Sequence, residues 1–179
     1  MALKPTIYKF RISLSDTNRD LYDSTQLTVA QHPSETVERM MARIMAYCVK
    51  WQPNLALTKG LSTTDEPDLW VKSLDDQIEL WVDIGEPSLD RVKKACRLAK
   101  QVDIFSFNSK SDVWWDQTKN KARQYSASFY RFDSQAIGAL AQVVARTMDL
   151  SVIITGDSLF VDCEQGSFEV QLTTLQSHD

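Results

Sequence analysis

Asp68, Glu79 and Asp83 are carboxylates whose spacing could bring them to one place. In Ile78-Glu79-Leu80-Trp81-Val82-Asp83-Ile84-Gly85 the side chains alternate, so an extended backbone turns Glu79, Trp81 and Asp83 to one face and Ile78, Leu80, Val82 and Ile84 to the other. The apolar face is a core face. Asp68 opens a second short run, Asp68-Leu69-Trp70-Val71-Lys72, behind Glu66-Pro67. Paired with the first run as a hairpin, it sets Asp68 about 5 Å from a facing residue and lets it join Glu79 or Asp83. Two carboxylates that close repel unless a proton or a cation lies between them. A hard divalent ion, Mg²⁺ or Mn²⁺, prefers such oxygen ligands together with water and phosphate, and there it can activate water against a phosphodiester.

Strands and helices interleave around these acids. Thr6 to Leu14 alternates as a half-buried strand, and Tyr22 to Ala30 follows as its antiparallel partner after the turn residues Asp16 to Asp20. Pro33-Ser34 starts a helix that Ser34 can cap and Glu35 can support at its positive end, with Val37, Met40, Met41, Ile44 and Cys48 as the inward stripe. A second helix opens at Pro87-Ser88 with Leu89, Val92, Cys96 and Ala99 inward, and a strand follows from Val102 to Phe107. Ser109 to Gln124 reads as helix, Ser126 to Phe132 as strand and Ser134 to Met148 as an amphipathic helix. Leu150 to Thr155, Ser158 to Cys163 and Ser167 to Leu172 form two closing hairpins. The expected fold is α/β or α+β, a mixed sheet flanked by helices, in one domain over 1–179.

Composition narrows the function. With 43% hydrophobic and 25% charged residues, a 179-residue chain can bury a core without disulfides or structural metals. Cys48, Cys96 and Cys163 are isolated and odd in number, which predicts reduced, mostly buried thiols. His32 and His178 are the only histidines, too few for a zinc site, and no G-x-S-x-G elbow accompanies them. No apolar run approaches the ~20 residues of a membrane span, and the expected location is the cytoplasm. A net charge of −4 counts against a dedicated nucleic-acid binder, yet the basic residues are grouped. Arg91, Lys93, Lys94, Arg97 and Lys100 share one helical segment and Lys119, Lys121 and Arg123 another, which read either as solvated faces or as contact surfaces.

From end to end the chain resembles the YaeQ family of small bacterial proteins. The resemblance rests on Met1-Ala2-Leu3-Lys4-Pro5-Thr6-Ile7-Tyr8-Lys9, His32-Pro33-Ser34-Glu35-Thr36, Glu38-Arg39-Met40-Met41, Asp65-Glu66-Pro67-Asp68, Lys93-Lys94-Ala95-Cys96 and Arg146-Thr147-Met148. The family in turn resembles the PD-(D/E)xK nuclease superfamily, which implies a Pro-Asp on one strand, an acid-x-Lys on the next and often a Glu on the preceding helix. Pro67-Asp68 matches the first signature and Asp83-Ile84-Gly85 the second, with Gly85 standing where the lysine belongs. Lys93, beside the core stripe of its helix, is the expected substitute; Lys94 and Lys72 are alternatives.

Two functions follow as expectations. In one, Asp68 and Asp83 hold Mg²⁺ or Mn²⁺ with help from Glu38 or Glu79, Lys93 assists, and nucleic acid is hydrolysed. In the other, a non-catalytic protein of nuclease-like fold binds nucleic acid or a transcription or repair partner. The basic helices and Trp114-Trp115 then carry the contacts, and the acidic pocket is a relic or a salt-bridge cluster with Lys72 or Lys93.

Overall fold

The computed structural model describes residues 4–58 and 65–178. The chain opens with β1 (Thr6–Asp16), β2 (Leu21–Gln31), α1 (Val37–Val49), β3 (Leu55–Leu57), β4 (Leu69–Lys72) and β5 (Ile78–Ile84). It continues through α2 (Leu89–Leu98), β6 (Ala99–Ser106), α3 (Ser111–Ala122), β7 (Ala127–Phe132), α4 (Ser134–Gln142), β8 (Thr147–Thr155), β9 (Ser158–Cys163) and β10 (Gly166–Gln176). The fold is mixed α+β, with one ten-stranded sheet in the order β2-β1-β8-β9-β10-β7-β6-β5-β4-β3. Neighbours are mostly antiparallel; β1 with β8, β5 with β6 and β6 with β7 run parallel. Two hydrogen bonds draw the ends of the sheet together into a nearly closed form. Trp51 Nε1, just ahead of β3, donates to Asp23 Oδ2 of β2 at 3.1 Å, and Arg19 Nη1 donates to the Trp51 carbonyl at 2.6 Å.

Inside the curl, α1 and α4 meet the alternating apolar positions of the strands. Phe10, Ile12 and Leu14 of β1, Leu80 and Val82 of β5, and Met40, Met41 and Ile44 of α1 belong to this core. A smaller layer lies on the outer side, where α2 and α3 cover β5, β6 and β7 through Trp81, Val92, Ile104, Ala122 and Phe129. Strands β5 to β7 are therefore buried on both faces. This is why Asp83, read from alternation as lining an open pocket, is only 2% exposed.

Several local readings need correction. Thr36 rather than Ser34 caps α1, accepting a hydrogen bond from the Arg39 amide at 3.1 Å. The helix expected to reach Met148 stops at Gln142. The β-branched pair Val143-Val144 follows it, and Thr147 and Met148 already pair with Lys9 and Phe10 of β1. Strand β3, three residues long, is too short for its alternation to show in the sequence. Cys48 is buried, which pushes its thiol up to about 12, but Cys96 and Cys163 are only half-buried. No helix among the described residues is long and apolar enough to cross a membrane.

Candidate functional site

The hairpin of β4 and β5 pairs Leu69 with Val82, so Asp68 and Asp83 lie at the same rung where β4 begins. The Asp68 amide donates to the Val82 carbonyl at 2.9 Å, and the Ile84 amide donates back to Asp68 Oδ2 at 2.8 Å. The two acids are thus opposite one another in the ladder, but their side chains do not share one pocket: Asp68 turns to α1 and Asp83 to α2. Each already has a guanidinium.

Arg39 of α1 donates through Nη2 to both Asp68 oxygens at 2.9 Å and to the Ile84 carbonyl at 3.2 Å. Arg91 of α2 grips Asp83 with two bonds, Nε to Oδ2 at 2.7 Å and Nη2 to Oδ1 at 3.1 Å, and also donates to the Glu66 carbonyl at 2.9 Å. Such two-pronged bonds are among the stronger ones available to a carboxylate. Behind Arg39 stands Glu35, whose Oε2 accepts Arg39 Nη1 at 2.7 Å and Arg43 Nε at 2.9 Å while Oε1 accepts Arg43 Nη2 at 2.6 Å. Arg43 also donates to the Ala30 carbonyl at 3.1 Å, tying the cluster to β2.

Burial sets the electrostatics. It pushes the Asp83 carboxyl above its ordinary range, against the pull of Arg91, and the nearby charge of Asp68 adds to the rise. For Arg39, burial alone would lower the value, but Asp68 and Glu35 outweigh it and hold the guanidinium above its usual range.

The remaining candidates disperse. Glu79 shares the Asp83 face but sits four residues back, roughly 13 Å along a strand, and pairs with Lys100 at 3.1 Å. Glu38 is exposed and lines a shallow 180 Å³ depression with Phe107, Asn108 and Ser134. Lys93 is exposed on α2, about 200° around the helix from Arg91. Lys94 reaches Asp65 at 2.6 Å, and Lys72 reaches Asp76 at 3.0 Å while lying 4.2 Å over the Trp70 ring. Arg91, not Lys93, meets Asp83.

Among the described residues, no three His, Cys, Asp or Glu side chains gather as metal ligands. More tellingly, the oxygens of Asp68 and Asp83 that would bind Mg²⁺ or Mn²⁺ accept hydrogen bonds from Arg39, Ile84 and Arg91. The donor set as arranged does not suit a hard cation, which would have to displace a guanidinium.

The sequence held a signal for this cluster. Glu35, Arg39 and Arg43 recur at four-residue intervals along one helical face, and Arg43 interrupts the apolar stripe beside Ile44. A charge inside such a stripe must be paired to be buried.

The family model described as YaeQ protein matches residues 1–172. The chain belongs to the YaeQ family. The uncharacterized protein YaeQ of Salmonella typhi is 37% identical over 178 residues, covering 98% of each chain, and that of Escherichia coli (strain K12) is 36% identical with the same coverage. The crystal structure of YaeQ protein from Xanthomonas axonopodis pv. citri superposes with a TM-score of 0.93 at 32% identity, covering 97% of this chain and 99% of that one. The YaeQ protein from Pseudomonas syringae gives 0.92 at 34%, covering 97% of each.

In this YaeQ chain, the position where the superfamily's lysine is expected has a backbone reason for its glycine. Gly85 adopts φ +115°, and its amide donates to the Phe105 carbonyl at 2.8 Å. Space is not the obstacle, since nothing lies within 4 Å of a Cβ placed there. Gly85→Lys is expected to lower stability by about 1–3 kcal/mol through backbone strain, or roughly 2–12 °C in melting temperature. Thermal unfolding followed by circular dichroism checks this, and an unchanged midpoint would remove the backbone explanation.

Proposed function

We propose that this YaeQ chain is a non-catalytic, nuclease-like protein that binds nucleic acid, with the acidic pair of the PD-(D/E)xK pattern converted into a structural ion-pair cluster. The observation that carries this reading is the pair of arginine clamps, Arg39 on Asp68 and Arg91 on Asp83. The order of parts supports the nuclease-like ancestry. Glu35 precedes helix α1, Pro67-Asp68 leads into β4, and Asp83 lies on the next strand, β5. Each acid, with a guanidinium of its own, holds one helix against the sheet, Asp68 holding α1 and Asp83 holding α2. Nucleic acid is favoured as the partner because α3 presents Lys119 and Lys121 in its last turn, with Arg123 at its end and Trp114-Trp115 near its start.

A second reading, the Mg²⁺- or Mn²⁺-dependent nuclease, is favoured by the adjacency of Asp68 and Asp83. One experiment separates the two. A labelled single-stranded oligonucleotide is mixed with the protein in EDTA and in millimolar Mn²⁺, and both its anisotropy and its integrity on a denaturing gel are followed. Binding in both buffers with the strand intact is expected, together with a melting temperature that Mn²⁺ leaves unchanged. Cleavage that requires Mn²⁺ and disappears in Asp83→Asn would overturn the non-catalytic reading.

A further inference from the structure

A cavity of about 360 Å³ lies far along α3 from the ion-pair cluster, between the C-terminal half of that helix, the α3–β7 turn and residues 175–178. Its lining includes Trp115, Lys119, Arg123, Tyr125 and His178. Trp115, Lys119 and Arg123 are spaced by four residues, so they line up along one face from the middle of α3 to its end, with Tyr125 two residues beyond. Two aromatic side chains and two cations therefore line one space in a chain whose net charge is −4. Among the described residues no acid lines it; Asp116 touches Lys119 at 3.4 Å from outside, in an exposed and weak pair.

The aromatic wall is fixed in place. The Trp115 ring packs 5.0 Å from Phe129 of β7 and 5.9 Å from Trp114, so part of its surface is committed to the outer core layer. A base stacking on its remaining surface meets a ring that is already ordered. The end of a helix is ordinarily a poor place for an anion, because its last carbonyls carry partial negative charge. Here three of the last four accept hydrogen bonds. The Ala122 carbonyl accepts the Tyr125 amide at 3.0 Å and Gln176 Nε2 at 3.1 Å, the Lys121 carbonyl accepts the Gln124 amide at 3.2 Å, and the Lys119 carbonyl accepts the Arg123 amide at 3.3 Å.

We infer that this cavity holds one nucleotide unit, its base against Trp115 and Tyr125 and its phosphate between Lys119 and Arg123. Its volume falls near the low end of small-ligand sites, about 300–1,000 Å³, which suits a single nucleotide and not a larger cofactor. The inference rests on the nucleic-acid reading above and supplies its docking point: a single strand, whose unstacked base can enter, and not a duplex, whose bases are already stacked. A free mononucleotide offers the same base and phosphate.

The test uses the full chain at about 50 mM salt, where phosphate contacts are strong. Fluorescein-labelled 12-nucleotide oligouridylate and oligothymidylate are titrated by anisotropy and AMP by calorimetry. The proteins are wild type, Arg123→Glu, Lys119→Glu, Trp115→Leu and the charge-matched control Lys9→Glu, each checked for folding by circular dichroism. Arg123 and Lys119 are solvent-accessible, so their variants are expected to fold, which keeps the test independent of the packed Trp115. Tenfold or greater weakening of oligonucleotide binding by Arg123→Glu and Lys119→Glu, with Lys9→Glu within twofold of wild type, supports the site. Oligonucleotide binding that none of the cavity variants changes overturns the site and leaves the nucleic-acid reading standing. AMP binding lost in Arg123→Glu, with no oligonucleotide binding by wild type, upholds the cavity as a free-nucleotide site and overturns that reading. Wild type that binds neither overturns both.

Discussion

Glu35→Gln is expected to lower the stability of the protein by about 3–5 kcal/mol, roughly 10 °C in melting temperature for a domain of this size. Gln keeps the size of the side chain but sets an NH₂ group against guanidinium donors. Glu35 accepts three hydrogen bonds from Arg39 and Arg43, and the side chains of Glu35 and Arg43 are only 2% and 4% exposed. The substitution strands Arg43 in the core and loosens Arg39, which in turn holds Asp68. Glu38→Gln, three residues on and exposed, is the matched control and should stay within about 0.5 kcal/mol of wild type. Urea unfolding monitored by tryptophan fluorescence compares them. Equal midpoints for the two variants would mean that the buried cluster contributes nothing to stability.

Arg91→Met is expected to cost about 3 kcal/mol at pH 8 and distinctly less at pH 5. Met preserves part of the aliphatic stem beside the Trp81 ring, over which the guanidinium lies at 5.6 Å, but leaves Asp83 buried without its cation. The pH dependence has a definite sign. The Asp83 carboxyl is already raised in the folded protein, so between its ordinary and raised values the folded chain binds more protons than the unfolded one, and stability falls as pH rises. Removing Arg91 removes the attraction that opposed the rise, so the window extends upward. The variant should regain stability on the acid side, where Asp83 is protonated, and Asp83→Asn added to Arg91→Met should recover much of the loss at pH 8. A loss of the same size at both pH values, unaffected by the second substitution, would assign the effect to packing on Trp81 alone.

These expectations differ from what the residues first suggested, and the difference has a physical origin. Alternation is a local property, so the β4–β5 hairpin and the opposite ladder positions of Asp68 and Asp83 are legible from Trp70, Trp81 and the acids that flank them. The first hairpin is legible for the same reason, and the inward stripe of α1 from its helical period. What covers a strand is not local. Nothing in Ile78 to Ile84 says that α2 folds over its polar face, and without that layer Asp83 reads as open and Arg91 as one more solvated cation. The apolar stripe of Leu89 and Cys96 sets a helix phase that favours Lys93. Val92 and Ala95 are in fact the fully buried positions, which rotates the inward face toward Arg91. The end of α4 is not legible locally, because Thr147 and Met148 owe their extended form to β1, remote in the chain.

That last contact also bears on how the chain comes into being. β1 lies parallel to β8, and residues bonded across the pair, such as Arg11 and Asp149, are 138 positions apart. At a synthesis rate of about 5–20 residues per second, β1 and β2 wait roughly 7–28 s for their neighbour to leave the ribosome. During that interval they are a two-stranded ribbon, marginal in water, with Phe10, Ile12, Leu14 and Val29 along one side. A nascent chain halted before Thr147 should therefore be prone to aggregation and a natural client for chaperones, while the emergence of β8, β9 and β10 completes the sheet in a late, cooperative step.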